Sequence, residues 1–198
     1  MRRLAIITMG GVILVHGLPS HGVAQTPVGD PAAGRQKAGM CRTCHGIEGR
    51  ARIPIAPHIG GENAAYLAHQ LTAFRDGTRV HEMMSVVAKG LDDQAIADLS
   101  AWYAGQQVAA SLPPGKEEAM APAACISCHG ADGLATIEDA PHLAGENAIY
   151  IDTQLKAFRS GKRKHPVMSE IAVGLSDAEI RAVANWYAGT RIEIEPVK

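Results

Sequence analysis

The sequence predicts an all-α protein built from two tandem copies of one small unit. Two observations support this prediction. A set of motifs recurs without a gap at an offset of 84 residues, which is typical of a duplicated unit. Within each copy, apolar residues recur at spacings of three and four, as on one face of a helix, and no alternating run bounded by hairpin turns is found.

Composition and charge narrow the class of protein. The chain has 198 residues, of which 46% are apolar and 20% charged, a balance typical of a folded protein. Its formal net charge of −1 argues against a nucleic-acid binder that relies on bulk positive charge. Aromatic residues make up only 4%, which is few for a core of this size. We therefore expect a bound non-protein group to complete the core.

The first 24 residues are predicted to be a secretory signal peptide. Arg2 and Arg3 precede an apolar run over residues 4–15, and the small-residue pattern Gly22-Val23-Ala24 follows. The run is too short to span a bilayer comfortably, so an uncleaved membrane anchor is the less favoured alternative. Export implies a periplasmic, oxidising location, in which unmodified thiols normally pair.

The repeat divides the mature chain into two predicted domains, 25–110 and 111–198. The Pro113-Pro114-Gly115 stretch is expected to link them, because proline and glycine break regular elements. A protein core alone gives two such small units only marginal folding stability. A large buried group in each unit would add the missing stability.

Each copy is expected to contain a central helix and a last helix. Residues 63–76 carry an apolar face that ends at Gly77, and Asp92 or Asp93 caps a later helix. In the second copy, Ser176 and Glu179 form a predicted capping box at the start of the last helix. Long loops join these short helices, so we expect each unit to wrap around its bound group.

Each copy contains one C-x-x-C-H motif. The motif residues are Cys41, Cys44 and His45 in the first copy, and Cys125, Cys128 and His129 in the second. On a helix, cysteines three apart share a face, and the histidine lies beside them. This motif is the attachment signal of a c-type haem. A zinc site needs four ligands where the motif supplies three, and a thioredoxin-type dithiol needs a βαβ context. We therefore predict two covalently attached c-type haems.

A haem iron held by one histidine requires a second axial ligand from further along each copy. Met84 and Met168 occupy matching positions, although core packing is the commoner role of methionine. A thioether opposite histidine favours ferrous iron and raises the reduction potential. The main alternative ligands are His81 and His165. His58 and His142 are less favoured as ligands, and we expect their rings to be stacked or to face solvent.

Further matched residues suggest how each haem is supported. Pro57 and Pro141 each stand twelve residues after the motif histidine. Each either holds a backbone carbonyl in place for the other ring N–H of that histidine or is an ordinary turn proline, and the two roles are compatible. Arg79 and Arg163 either neutralise haem propionates or are solvated.

With these motifs established, the chain from about Asp30 to Thr190 resembles the class I c-type cytochromes, specifically the dihaem cytochrome c4 type. The matching stretches are C-R-T-C-H-G and C-I-S-C-H-G, P-H-I-G-G-E and P-H-L-A-G-E, and Q-L-x-A-F-R-x-G-x-R in both copies. The resemblance implies two all-α units, each around one haem, related by a pseudo-two-fold axis. It also implies the axial pairs His45 with Met84 and His129 with Met168, and it implies that the carbonyls of Pro57 and Pro141 receive the ring protons of these histidines.

The sequence departs from the family pattern at two places. Glu62 and Glu146 stand where the family commonly has glutamine. Upstream of the second motif, Pro122 interrupts the expected first helix, and Glu118 occupies the position of Gly34. The sequence therefore supports a contact between the first and last helices less well in the second unit than in the first.

The predicted function is periplasmic electron transport, without catalysis. The resemblance implies a carrier between a quinol-oxidising complex and a terminal oxidase, docking weakly at an exposed haem edge. The alternative is the electron-accepting cytochrome subunit of an exported dehydrogenase, such as a sulfide-oxidising flavoprotein. A peroxidase-like enzyme is disfavoured, because it needs an open iron position and both methionine positions are filled. No nucleic-acid partner is expected, and we expect membrane contact only through partner complexes.

Overall fold

The computed structural model describes residues 27–196, so the predicted signal peptide lies outside the described residues. The helices of the first half are α1 (Pro31–Lys37), α2 (Arg42–His45), α3 (Ala64–Asp76), α4 (Glu82–Lys89) and α5 (Asp93–Ala104). Those of the second half are α6 (Ile126–His129), α7 (Ala148–Arg159), α8 (Pro166–Val173) and α9 (Asp177–Ala188). Short 3₁₀ turns cover Ala38–Met40 and Glu118–Met120. Within 27–196, no helix combines the length and apolar character needed to cross a membrane.

The helix ends follow the local sequence signals. Asn63 caps α3 and Asn147 caps α7, each accepting a backbone N–H with its side-chain oxygen, at 2.8 and 2.9 Å. Gly77 adopts the left-handed conformation, with φ of 78°, and ends α3 as predicted. The capping box of Ser176 and Glu179 is confirmed at the start of α9.

Each half has its own buried core between its central and last helices. In the first half the core includes Leu67, Ile96, Leu99 and Tyr103. In the second half it includes Ile151, Ile180, Val183 and Tyr187. These residues are equivalent at the offset of 84, so the duplication seen in the sequence is also present in the packing.

Helix α1 packs against α5 in the first half. The contact depends on Gly34, where an added Cβ would lie 1.9 Å from the carbonyl oxygen of Asp98. The second half has Glu118 at this position, in a single 3₁₀ turn. Lys116 from the linker instead covers Trp186, with Nζ 4.5 Å from the ring centroid. The first half thus has the α1–α5 packing, and the second half has a 3₁₀ turn at the place equivalent to α1.

An antiparallel ribbon joins the two halves, and the all-α prediction missed it. Strand β1 (Gln107–Ser111) follows α5, and strand β2 (Arg191–Glu195) follows α9. The central pair of the ribbon is Ala109 with Glu193. These two residues are equivalent in the repeat, so the pseudo-two-fold axis passes through this pair. The alternating sequence of β2 is typical of a strand, but its partner lies in the other half rather than in a hairpin.

Candidate haem sites

Each C-x-x-C-H motif folds into one helical turn, α2 or α6. The backbone N–H of His45 donates to the Cys41 carbonyl at 2.9 Å, and the second motif repeats this bond at 2.9 Å. The first turn ends at Gly46, which has φ of 75° and where an added Cβ would lie 2.4 Å from the Arg50 carbonyl oxygen. Only glycine fits such a position. The four cysteines form no disulfide, and each pair shares a turn with its histidine, as the motif predicts.

The last helix of each unit anchors this turn through its aromatic side chains. Trp102 donates its indole N–H to the Ile47 carbonyl at 2.7 Å, and the Tyr103 hydroxyl donates to the Gly46 carbonyl at 3.3 Å. The equivalent residues of α9 make the same two bonds in the second half, at 2.9 and 3.0 Å. The position of each motif is therefore set by the helix that forms the core.

Each motif histidine is buried and hydrogen-bonded on one side of its ring. Nδ1 of His45 lies 2.9 Å from the Pro57 carbonyl oxygen, and Nδ1 of His129 lies 2.9 Å from that of Pro141. A carbonyl only accepts, so Nδ1 carries the proton and Nε2 keeps a lone pair for a metal. Burial lowers the pKa of both histidines, which favours the neutral ring that metal binding needs. The predicted proline hydrogen bond is thus present in both halves.

Met84 and Met168 lie in the first turns of α4 and α8. Both side chains are half-buried, whereas the neighbouring Met83 is 61% exposed. Met168 packs against the core cluster of the second half. Met168 therefore faces the core of its unit, Met84 is half-buried at the matching position, and the unmatched Met83 faces solvent.

His81 and His165, the alternative ligands, cap the same two helices. Nδ1 of His81 accepts the Met84 N–H at 3.4 Å, and Nδ1 of His165 accepts the Met168 N–H at 3.2 Å. Nε2 of His165 also lies 3.2 Å from Oδ2 of Asp139. Both ring nitrogens of His165 thus have partners within the protein, and His81 is exposed.

His58 and His142 are neither ring-stacked nor solvent-facing, which corrects the expectation for them. Nδ1 of His58 accepts the Ala51 N–H at 2.9 Å, and its Nε2 lies 3.2 Å from the Gly145 carbonyl of the other half. His142 makes the equivalent contacts from the second half. Matching in a repeat does not reveal contacts with the other copy, so this role is not predictable from the repeat.

Arg79 and Arg163 lie in the same interface. Arg79 donates Nη1 to Oε1 of Gln70 at 2.5 Å and Nη2 to Oε1 of Gln154 at 2.8 Å. Arg163 donates to the same two oxygens, at 3.1 and 2.8 Å. Among the described residues, no carboxylate oxygen lies within 4 Å of either guanidinium. Two half-buried cations without an anionic partner are suited to anionic groups such as haem propionates.

The residues of each half fit a covalently attached haem. The paired thiols on one turn suit two thioether bonds, and the Nε2 lone pair of the histidine suits an iron. The arginine pair would balance the negative charge of the propionates. This donor set has the mixture of thiol, imidazole and cation that an iron porphyrin requires.

Comparisons with known proteins relate the chain to cytochromes. The family described as cytochrome c oxidase, cbb3-type, subunit III matches residues 113–186. Cytochrome c4 of Thiocapsa roseopersicina is 35% identical over 188 residues, covering 85% of this chain and 97% of its own length. The thiosulfate dehydrogenase electron acceptor of Thiomonas intermedia is 32% identical over 209 residues, covering 95% of this chain and 91% of its own length. The crystal structure of reduced recombinant cytochrome c4 from Pseudomonas stutzeri aligns with a TM-score of 0.72 at 28% identity, covering 83% of this chain and all of the other.

Proposed function

Since the chain belongs to the cytochrome c4 family, we propose that it is a periplasmic shuttle between a quinol-oxidising complex and a terminal oxidase. The chain is an electron-transfer cytochrome with two covalently attached c-type haems. The observation that carries the proposal is the duplicated site, in which each half offers one C-x-x-C-H turn and a matched methionine. Such a protein holds up to two electrons.

We assign one set of ligands to each half, within units 25–110 and 111–198. The first set is Cys41, Cys44, His45 and Met84, and the second is Cys125, Cys128, His129 and Met168. The free Nε2 of each motif histidine supports the first axial position. The half-buried methionines support the second, because His81 and His165 already serve as helix caps.

His45 with Met84, and His129 with Met168, would each hold the iron of one haem. When bound, each haem supplies an iron that alternates between the ferrous and ferric states. The Pro57 carbonyl fixes the ring orientation and tautomer of His45. The anchoring bonds of α5 restrain the first motif turn, to which Cys41 and Cys44 would attach the haem. With both assigned ligands in place, such a group would exchange electrons with little rearrangement and would need no substrate pocket.

A second candidate function is that of an electron acceptor for an exported dehydrogenase. Two relatives are named thiosulfate dehydrogenase electron acceptors. Their names favour a thiosulfate-oxidising enzyme as the electron donor, rather than a sulfide-oxidising flavoprotein. Both functions use the same two haems and differ only in the donor.

Partner assays distinguish the two functions. The reduced protein is mixed with membranes that contain a terminal oxidase, and the oxidised protein is mixed with thiosulfate dehydrogenase and thiosulfate. A carrier is rapidly oxidised by the membranes, and an enzyme-specific acceptor is rapidly reduced by the dehydrogenase. Rapid cyanide binding by a native haem, without reversible electron transfer to either partner, would contradict both functions.

A further inference from the structure

One peptide group in the first half connects a motif histidine to a carboxyl group of the second half. The carbonyl of Pro57 accepts the Nδ1–H of His45 at 2.9 Å. The N–H of the same peptide bond belongs to His58 and donates to Oε1 of Glu146 at 2.6 Å. Two hydrogen bonds that share one peptide group therefore join His45 to Glu146 across the interface.

The second half reciprocates this arrangement. The carbonyl of Pro141 accepts the Nδ1–H of His129 at 2.9 Å. The His142 N–H donates to the carboxyl group of Glu62, lying 3.0 and 3.1 Å from its two oxygens. Each motif histidine is thus linked to a glutamate of the opposite unit and not to one of its own.

Both glutamates are buried without a cationic partner. Glu62 is 4% exposed and Glu146 is 2% exposed. Among the described residues, no side-chain nitrogen of lysine, arginine or histidine lies within 4 Å of either carboxyl group. Oε2 of Glu146 has no hydrogen-bond partner. The backbone N–H groups of the relay are therefore the main polar contacts of these carboxyl groups.

Other ionisable groups surround the pair of glutamates. They include His58, His142, Tyr66 and Tyr150, together with Arg79 and Arg163 further along the interface. Burial lowers the pKa of both histidines and raises the pKa of Tyr66 to about 12, so all three are neutral at pH 7. The two arginines bind glutamine and tyrosine side chains instead of the carboxyl groups.

The buried position favours the protonated form of each glutamate. Burial raises the pKa of Glu62 to about 8. It raises the pKa of Glu146 well above its ordinary value, and the nearby Glu62 charge adds to that shift. Ionisation places a full negative charge on the acceptor oxygen. The hydrogen bond from the peptide N–H to that oxygen then becomes stronger. The polarised peptide group in turn offers a stronger carbonyl acceptor at its other end.

We propose that Glu146 and Glu62 are positioning residues that tune the axial histidine of the opposite unit through the shared peptide group. This inference rests on the proposed axial roles of His45 and His129. A stronger acceptor at Nδ1 makes the imidazole a more basic ligand and favours the ferric state. Reduction of the haem iron consumes one electron from a donor. A glutamate of the relay that is ionised then takes up one proton from the solvent.

The test measures the reduction potential of each haem against pH in the wild type and in Glu→Gln variants. Glutamine keeps a neutral oxygen acceptor but does not ionise. In the wild type, the potential of the second-unit haem is expected to fall as the pH rises through about 8. The potential of the first-unit haem is expected to fall as the pH rises through the raised pKa of Glu146. Glu146→Gln is expected to remove this fall for the haem of the first unit, and Glu62→Gln for the haem of the second. Glu118→Gln is the matched control, because it removes one exposed carboxylate outside the relay.

Two results would overturn the proposal. One is a wild-type potential that does not change with pH in this range. The other is a glutamine variant that alters the haem of its own unit more than the opposite one. The wild-type amide signals of His58 and His142 provide a check without mutation, since their NMR shifts should move with the same midpoint as the potentials. Failure of the proposed shuttle function would appear in the partner assays and would leave these equilibrium potentials unchanged.

Discussion

Arg79→Met is expected to destabilise the contact between the two halves. Arg79 makes two short charged hydrogen bonds, one to Gln70 in its own half and one to Gln154 in the other. Its Cζ also lies 4.4 Å from the centroid of the Phe74 ring. Methionine preserves much of the length and apolar stem of the side chain but removes the guanidinium.

The expected loss follows from these contacts. Two hydrogen bonds from a charged donor contribute about 1.5 kcal/mol each, and the cation–π contact adds about 1 kcal/mol. The loss is reduced because removal of one cation relieves its repulsion with Arg163. Both glutamine oxygens also keep a bond to Arg163, so neither becomes an unpaired buried acceptor. The net loss is therefore about 2 to 3 kcal/mol.

Denaturant unfolding of the haem-loaded protein measures this loss as a change in the free energy of unfolding. Arg75→Met is the matched control, since Arg75 pairs with Asp76 and Asp93 at the exposed surface and such pairs contribute little. Arg163→Met should repeat the effect of Arg79→Met, because the contacts are reciprocal. If Arg79→Met cost no more than Arg75→Met, the interface would not depend on the arginine pair.

Two further perturbations test the ligands and the helix packing. Met84→Ala is expected to abolish the far-red Met–Fe(III) absorption of one haem, whereas His81→Ala is expected to keep this absorption for both haems. The opposite spectra would transfer the ligand role to His81. Gly34→Ala is expected to lower the free energy of unfolding by about 2 kcal/mol, because its Cβ would meet the backbone of α5. Gly39→Ala, whose Cβ would meet nothing within 4 Å, should change that free energy by less than about 0.5 kcal/mol, and equal effects would contradict the α1–α5 contact.

The features that lie within one unit are largely predictable from the sequence. Helix α3 is predicted over 63–76 and spans Ala64–Asp76, because its cap, its apolar spacing and Gly77 all act locally. The hydrogen bond between His45 and Pro57 is also predictable, since the family resemblance implies it and both copies keep a separation of twelve residues. Local signals of this kind need no knowledge of how the units meet.

The contacts between the units were not predictable from the repeat. Duplication identifies residues that are equivalent, but the interface joins residues that are not, such as His58 with Glu146. The ribbon is a similar case, because each strand finds its partner only after the two units have docked. The two glutamates depart from the family pattern in the sequence, but their hydrogen-bond partners depend on how the two units dock.

The most direct test of the central claim is the intact mass of the mature protein, followed by peptide mapping. We predict the mass of the polypeptide plus two haems, with one haem on the peptide of Cys41 and Cys44 and the other on that of Cys125 and Cys128. Replacing Cys41 and Cys44 by alanine should remove one haem and leave the second in place. A mass equal to that of the bare polypeptide, from a host able to attach c-type haems, would contradict the assignment.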